Sequence, residues 1–567
     1  MFLRQVVRIC FMFPYVCLLL SGCQLFHREE SLYPHSVISV FDVSFDKIDP
    51  RNVDFPGGRG EDQMILYTPN FGTATGANQW GTEAVVIGGI VHKVGGNNSD
   101  IPTNGFVISG HGKAARWIVD NLYPGVEVTI EGQKIICSVT DATCLYQSSS
   151  LIEEADALDA SHIEWDPLVS MNDLRSLKSQ SEKWGARSRK AARSGDSRQS
   201  VLFAKKALDS AFEYYYKSQR SRQIELRACW HRLQEKSPQE LERTIKKIAE
   251  AGFNGVCPET IYWGYAIYPD AHPALPQNPA FLGWDPLEEL CRLAHKYKIK
   301  VIPWVEVFFI GFDQSPLKKE KSGWLAFSRN GDYPSTLEKG YYYFCPSRRE
   351  VRQFWLEVYE KMIRKYDIDG LQLDYIRYPR SLPWEQGYCY CGRCRELFFN
   401  KFEVDPALID PVKNPEVWEK WNQFRSDQVT EFVRQVSVML KEIRPDLRLS
   451  ADVFPDRKEA VESKFQDWKL WLDKGYIEEV FTMSYTSDAD QVNRESQGFM
   501  QDAPPQFRGY VGLGPYLGFP PKTLIDQIRA VQETGAQGFC LFSLEYLSDD
   551  HLKALKQGPF RLPAYVP

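Results

Sequence analysis

The chain carries no excess of basic charge. Its 74 acidic and 68 basic residues leave a net charge of −6, so no global field holds nucleic acid or an anionic membrane surface, and nucleic acid is not an expected partner. It has no apolar run long enough to span a bilayer comfortably: the run 9–20, which follows Arg4 and Arg8, is too short. It also has no glycine-rich phosphate fingerprint after its first βα strand, which argues against a doubly wound nucleotide-binding sheet. What remains is an ordinary globular composition over 567 residues, too long for one core, so two or three domains are expected.

The amino terminus has the form of an export signal, with charge, a short apolar run, then small residues before Cys23. Leu20-Ser21-Gly22-Cys23 resembles the bacterial lipobox. That resemblance implies a lipoprotein signal peptide over 1–22, cleavage before Cys23, acylation of its thiol and a tether over 23–35. Gln24, in place of Asp, implies an outer-membrane anchor facing the periplasm. Of 13 cysteines, Cys10, Cys17 and Cys23 fall in this segment, which leaves ten in the exported body, where disulfides are permitted. Cys389, Cys391 and Cys394 crowd into CYCGRC, with Cys345 as a fourth partner from the preceding loop. Four thiolates could hold a tetrahedral zinc, although C-x-C-x2-C departs from paired C-x2-C spacing; a disulfide clamp is the equal alternative. Either role is structural, because four protein ligands leave zinc no open position. No metal or cofactor is assigned to the chemistry.

Segment 36–150 reads as a β-rich domain of short strands between GG, GNNSD and PTNG turns. Segment 151–222 reads as a connector, helices joined by a solvated Ser/Arg/Lys-rich stretch whose basic run is 187–198. From 223 to 567, apolar strands alternate with amphipathic helices. Strands are expected at 226–230, 255–259, 300–307, 370–375, 447–453, 480–485, 509–513 and 538–542, with helices at 238–251, 286–297, 349–366, 416–443 and 521–534. Eight such repeats closing on themselves make a (β/α)8 TIM barrel, an α/β fold whose chemistry sits at the C-terminal ends of the strands. The runner-up is the doubly wound open sheet.

Counting to those ends gives an acidic, aromatic rim: Trp230 and His231, Glu259, Trp304 and Glu306, Asp374, Asp452, Tyr485 with Asp488, and Glu545. Glycosidic cleavage needs one carboxylic acid and one carboxylate flanking the bond. Glu306 and Asp374, on neighbouring strands about 4.8 Å apart, are the expected catalytic pair. Apolar neighbours in PWVEVFF should raise the pKa of Glu306 and suit it to be the acid, while Asp374 beside Arg377 stays ionised as nucleophile or base. Glu259, Trp304, Arg377, Tyr378, Asp452, Tyr485, Glu545, Trp263 and Tyr265 are expected to bind substrate, with Tyr268 a further stacking ring. An aromatic content of 13% suits ligands apolar on one face and polar on the other, as sugars are.

Three blocks, AGFNGVCPETIYWGYAIYP, WDPLEELCRLAHKYKIKVIPWVEVF and YDIDGLQLDYIRYP, resemble the family-10-like bacterial glycosyl hydrolases over 223–567. The resemblance implies a TIM-barrel glycoside hydrolase acting on a glycan polymer, and some lipoprotein relatives cut peptidoglycan strands stripped of peptides. This chain departs at Asp374-Tyr375, where many relatives have two aspartates, and at Glu306, where they often have Asn. IPTNGFVISGHGKAARWI, 101–118, more weakly resembles the module of phosphodiester glycosidases. It is read as accessory and glycan-binding, with His111 its candidate group. A non-catalytic glycan-binding lipoprotein and a phosphodiester glycosidase acting through the N-terminal module are the alternatives. Oligomeric state is left open.

Overall fold

Leu226–His231 is buried at every position. A strand wet on one face would alternate, so continuous burial marks a strand covered on both faces, as parallel barrels require. The computed structural model describes residues 36–42, 64–77, 81–96, 98–131, 134–335, 337–338, 340–380 and 387–566; the signal peptide, Cys23 and the tether lie outside them. Eight parallel strands follow: β1 Leu226–His231, β2 Gly255–Tyr262, β3 Lys300–Val301 with Trp304–Glu306, β4 Gly370–Asp374, β5 Arg448–Val453, β6 Glu479–Met483, β7 Arg508–Leu513 and β8 Gly538–Leu541. Each pairs with the next, and β8 returns to β1 with Gly538 opposite Leu226, closing the barrel. A Cβ on Gly538 would lie 2.2 Å from the Leu226 carbonyl oxygen, so this seam admits only glycine. The expected TIM barrel is the observed fold.

The helices form where capping and periodicity place them. Pro238–Ala251 opens with the Ser237 hydroxyl accepting from the Glu240 N–H, carries proline at its first position and ends at Gly252 with φ +98°. Its buried Leu241, Ile245 and Ile248 face the barrel wall. Inside the barrel, Trp230, Cys257, Ile302, Trp304, Phe481, Tyr510 and Cys540 make a separate apolar cluster. Trp230 Nε1 donates to Gln372 Oε1 at 2.8 Å across it.

The β-rich domain is one antiparallel sheet in the order Ser36–Asp42, Lys134–Val139, Glu127–Glu131, Ile90–Val94, Thr82–Ile87, Gly105–Gly110, Met64–Tyr67. Helix Gly112–Asn121, with His111 at its N-cap, packs Ala114 and Ile118 against Ala84, Val86 and Ile108. This domain meets the barrel at its rim: Arg116 Nη1 donates to the Leu517 carbonyl, in the loop after β7, at 3.5 Å.

The connector differs from expectation. Asp141–Asp156 crosses the expected boundary at 150, and the stretch read as solvated is mostly helix, Met171–Arg193 paired with Ser197–Lys217 across a turn at 194–196, with its Arg and Lys side chains in solvent. The reason is that its serines are glue between helices. Ser181 donates to the Ala207 carbonyl at 2.8 Å and Ser188 to that of Ser200 at 2.9 Å, so small polar residues satisfy themselves inside the contact. Among the described residues no helix is long and apolar enough to cross a membrane.

The N-terminal end of the barrel is locked by a fully buried ion pair, Arg227 Nε to Glu225 Oε2 at 3.0 Å. Arg227 also donates to the carbonyls of Leu562 and Arg222, and Gln532 donates to Glu225. Burial raises the Glu225 pKa and lowers that of Arg227 despite their mutual attraction, so the pair is retained by its completed hydrogen bonds. Arg227→Met strands one buried charge and is expected to destabilise the barrel by about 3–5 kcal/mol. Adding Glu225→Gln should recover part of that, as measured by the urea midpoint.

Candidate active site

The C-terminal rim collects four carboxyls from four consecutive strands. Glu306 and Asp374 are register partners at the ends of β3 and β4, and Trp304 is opposite both Glu259 of β2 and Gln372 of β4. Because side chains alternate along a strand, Glu259, Trp304, Glu306, Gln372 and Asp374 share the inward face. Ser450 of β5 pairs with Gln372, which carries Asp452, two residues on, to the same face beyond it. All four carboxyls are buried.

Burial raises the pKa of each, and the partners each receives separate them. Glu259 is held by both Arg232 Nε and Arg232 Nη2, the latter at 2.7 Å, so its rise from burial is opposed by that guanidinium. Asp374 accepts at both oxygens, from Tyr375 N–H at 2.6 Å and Trp304 Nε1–H at 2.9 Å; burial still raises it, against those two donors. Among the described residues Glu306 accepts once, from Trp263 N–H to Oε2 at 2.8 Å, and it lies well above the usual carboxylate range through burial and the charge of Glu259. Asp452 Oδ1 has no partner among the described residues, and burial with the charge of Asp374 drives its pKa well up. The row therefore runs from carboxyls supplied with donors to carboxyls that keep a proton.

Beside β1, His231 bridges Glu545 Oε1 at 2.7 Å and Glu235 at 3.2 Å. Burial works against its charge, but the two carboxylates hold its pKa at about 9. Glu545 Oε1 also accepts from the Arg232 backbone N–H at 2.8 Å, which fixes the chain at the residue whose guanidinium holds Glu259. Arg232 lies 5.5 Å from the Trp263 ring centre, and Trp263 is 37% exposed, leaving a ring face open at the rim.

The expected site residues separate into two groups. Glu259, Glu306, Asp374, Asp452, Glu545, Trp304 and Trp263 converge on this rim. Trp304 is buried and serves Asp374 through its N–H instead of offering a stacking face. Tyr485, two residues past β6, also belongs beside the carboxyl row: it packs on Trp230 at 6.4 Å, Phe542 at 5.4 Å and Tyr516 at 5.5 Å, and burial followed by the charges of Asp452 and Asp374 pushes its pKa well up. Tyr265 pairs with Tyr262 in a short hairpin, and Tyr268 is buried against Tyr366 at 5.2 Å. Arg377 does not pair with Asp374. It binds Glu338 Oε1 at 2.7 Å and the Tyr378 carbonyl at 3.0 Å, because Tyr375, at φ +48°, turns the chain away from the cavity. Tyr378 is buried against Phe465, outside the carboxyl row. Asp488 caps helix Ala489–Asp502.

Sequence reasoning missed Arg232 and Gln372. Both were within reach of it: Arg232 directly follows the last residue of β1, and Gln372 precedes Asp374 by one strand period.

Residues 224–508 match the glycosyl hydrolase-like 10 family. The chain is 20% identical over 269 residues to the glycosyl hydrolase YngK of Bacillus subtilis (strain 168), covering 44% of this chain and 49% of that one. It thus spans about half the length of the curated relative it matches. Solved structures of similar shape include the PgaB (BpsB) glycoside hydrolase domain from Bordetella bronchiseptica, with 13% identity, 59% of this chain and 98% of that chain covered, and a TM-score of 0.47. Alpha-L-fucosidase isoenzyme 2 from Paenibacillus thiaminolyticus shows 15% identity, 60% and 49% coverage, and a TM-score of 0.43.

The Asp452 proton has a measurable consequence. Its folded pKa lies above the unfolded value of about 3.9, so its contribution favours the folded chain at low pH and declines as pH rises from about 4 toward the folded pKa. Asp452→Asn removes this titration. Its thermal midpoint relative to the parent chain is expected to improve as pH rises above about 4; a difference independent of pH would show that the fold does not raise the Asp452 pKa.

Proposed function

Since the chain belongs to the glycosyl hydrolase-like 10 family, we propose that it is a glycoside hydrolase in which Glu306 is the general acid and Asp374 the nucleophile or base. One observation carries this reading: two buried carboxyls sit opposite each other in register on β3 and β4 with unequal donor supply. With Oε2 occupied by the Trp263 N–H, Glu306 carries its proton on Oε1, free to protonate a departing glycosidic oxygen. Donors on both Asp374 oxygens stabilise its charge, the form that attacks the anomeric carbon or activates water. Charge on Asp374 is thus supported first by these two N–H groups, and then by the charge of Arg377, whose direct partner is Glu338. Arg232 and Glu259 form a fixed polar wall, and Trp263 offers a ring face for a sugar.

The substrate class we propose is an amino-sugar polymer, with peptidoglycan glycan strands first. The lipobox resemblance at Cys23 supports this, because an enzyme anchored in the outer membrane and facing the periplasm meets that polymer. The sheet domain, resting on the loop after β7, is proposed as an accessory glycan-binding module.

The test incubates the full chain with peptide-free peptidoglycan and other amino-sugar polymers and follows release of reducing ends. Asp374→Asn is expected to lose three or more orders of magnitude in kcat, and Glu306→Gln about 10²- to 10⁴-fold. If neither slows release, the assignment fails.

The pH profile separates the two roles. Activity should fall at high pH as Glu306 loses its proton and at low pH as Asp374 gains one. Glu306→Gln should abolish the high-pH fall, and its loss should shrink on aryl glycosides whose leaving group needs no proton. A high-pH fall that persists in Glu306→Gln would assign the acid elsewhere.

A further inference from the structure

Cys345, Cys389, Cys391 and Cys394 are all buried, and their sulfur atoms lie within 4.8 Å of one another. All four are free thiols. Cys345 Sγ is 3.4 Å from Cys394 Sγ and 3.6 Å from Cys391 Sγ. Four thiolates about 2.3 Å from one zinc stand about 3.8 Å apart along the edges of a tetrahedron. One sulfur equally close to two others matches that arrangement; a pair of disulfides would give each sulfur a single near partner.

Two observations independent of the sulfur geometry point the same way. Cys391 N–H donates to Cys389 Sγ at 3.4 Å, and Cys391 caps helix Gly392–Phe402, where the helix dipole favours a thiolate. Beside the cluster, Arg425 is completely buried. It donates to the Tyr388 carbonyl at 3.1 Å and to Asn422, its Nε has no partner, and it pairs with no carboxylate among the described residues. Its guanidinium lies over the rings of Phe465, Trp421 and Trp418 at 4.2, 5.1 and 5.4 Å; beside four neutral thiols it has ring faces but no counter-charge, and beside a zinc tetrathiolate, with net charge −2, it is paired.

We propose that these four cysteines bind one structural zinc ion. With four protein ligands the ion has no open position and takes no part in the reaction. Its effect is mechanical. Cys345 closes the loop that leaves β3 after Glu306, and the other three close the loop that leaves β4 after Asp374. The same two loops are tied by the Arg377–Glu338 pair and by Tyr388 Oη donating to the Pro334 carbonyl at 3.0 Å. Zinc therefore fixes the walls behind the carboxyl pair, whatever bond that pair cleaves.

The full chain, purified without chelator, is assayed for zinc and iron by elemental mass spectrometry and for thiols by intact mass under non-reducing conditions. One zinc per chain with all four thiols unoxidised is expected. Cys345→Ser and Cys391→Ser should each lose the metal. Because these variants could also misfold, the parent chain is separately loaded with cobalt in place of zinc. An intense sulfur-to-cobalt charge-transfer band with tetrahedral ligand-field bands is expected. Disulfides in place of metal, iron in place of zinc, free thiols that take up neither ion, or full zinc retention in both variants would each overturn the proposal.

Discussion

A barrel interior lined by Trp230, Phe481 and Tyr510 cannot solvate four ionised carboxylates, and this constraint organises the rest of the rim. Each carboxyl must find donors or keep a proton. Glu259 has a guanidinium, Asp374 two N–H groups, Glu306 one, and one oxygen of Asp452 none. Acid and base arise side by side because identical chemistry is given unequal hydrogen bonding, the arrangement by which one site separates the pKa values of two carboxyls.

The donors themselves are placed at a cost. Trp263 and Tyr375 both have left-handed backbones, with φ +52° and +48°, which for bulky residues costs about 1–3 kcal/mol each. Each conformation has a visible product: the Trp263 N–H lands on Glu306 and the Tyr375 N–H on Asp374. Strain sits in the two residues that orient the carboxyl pair. Arg232 is positioned in a parallel way, through a charged His231 that holds Glu545, which in turn holds the Arg232 N–H.

What was legible in the sequence follows from periodicity. Strands buried on both faces read as apolar runs, prolines and capping residues mark helix starts, and counting to the strand ends brings Glu306 level with Asp374. What was hidden depends on partners distant in the chain. Arg377 binds Glu338, from the preceding rim loop, and no local pattern shows that. Trp304 looks like a stacking ring until its alternation with Glu306 turns its N–H toward Asp374. The serines of the connector look like solvated linker because a hydroxyl buried between helices has the same composition as one in water.

The two ends of the barrel divide the remaining work. At the N-terminal end, Arg227, Glu225 and Gln532 complete one another's hydrogen bonds and bind the chain terminus, with Tyr565 accepting from the Glu225 N–H at 3.0 Å. At the C-terminal end the polar groups are left short of donors, the backbone is bent against its preference, and the long loops after β3 and β4 are tied to each other. Such an end cannot hold its own geometry by burial alone, because its buried groups are the destabilising ones. It depends on a closed ring of strands below and on cross-links between the loops above, so the rigidity of the fold is what allows the rim to stay electrostatically unsatisfied.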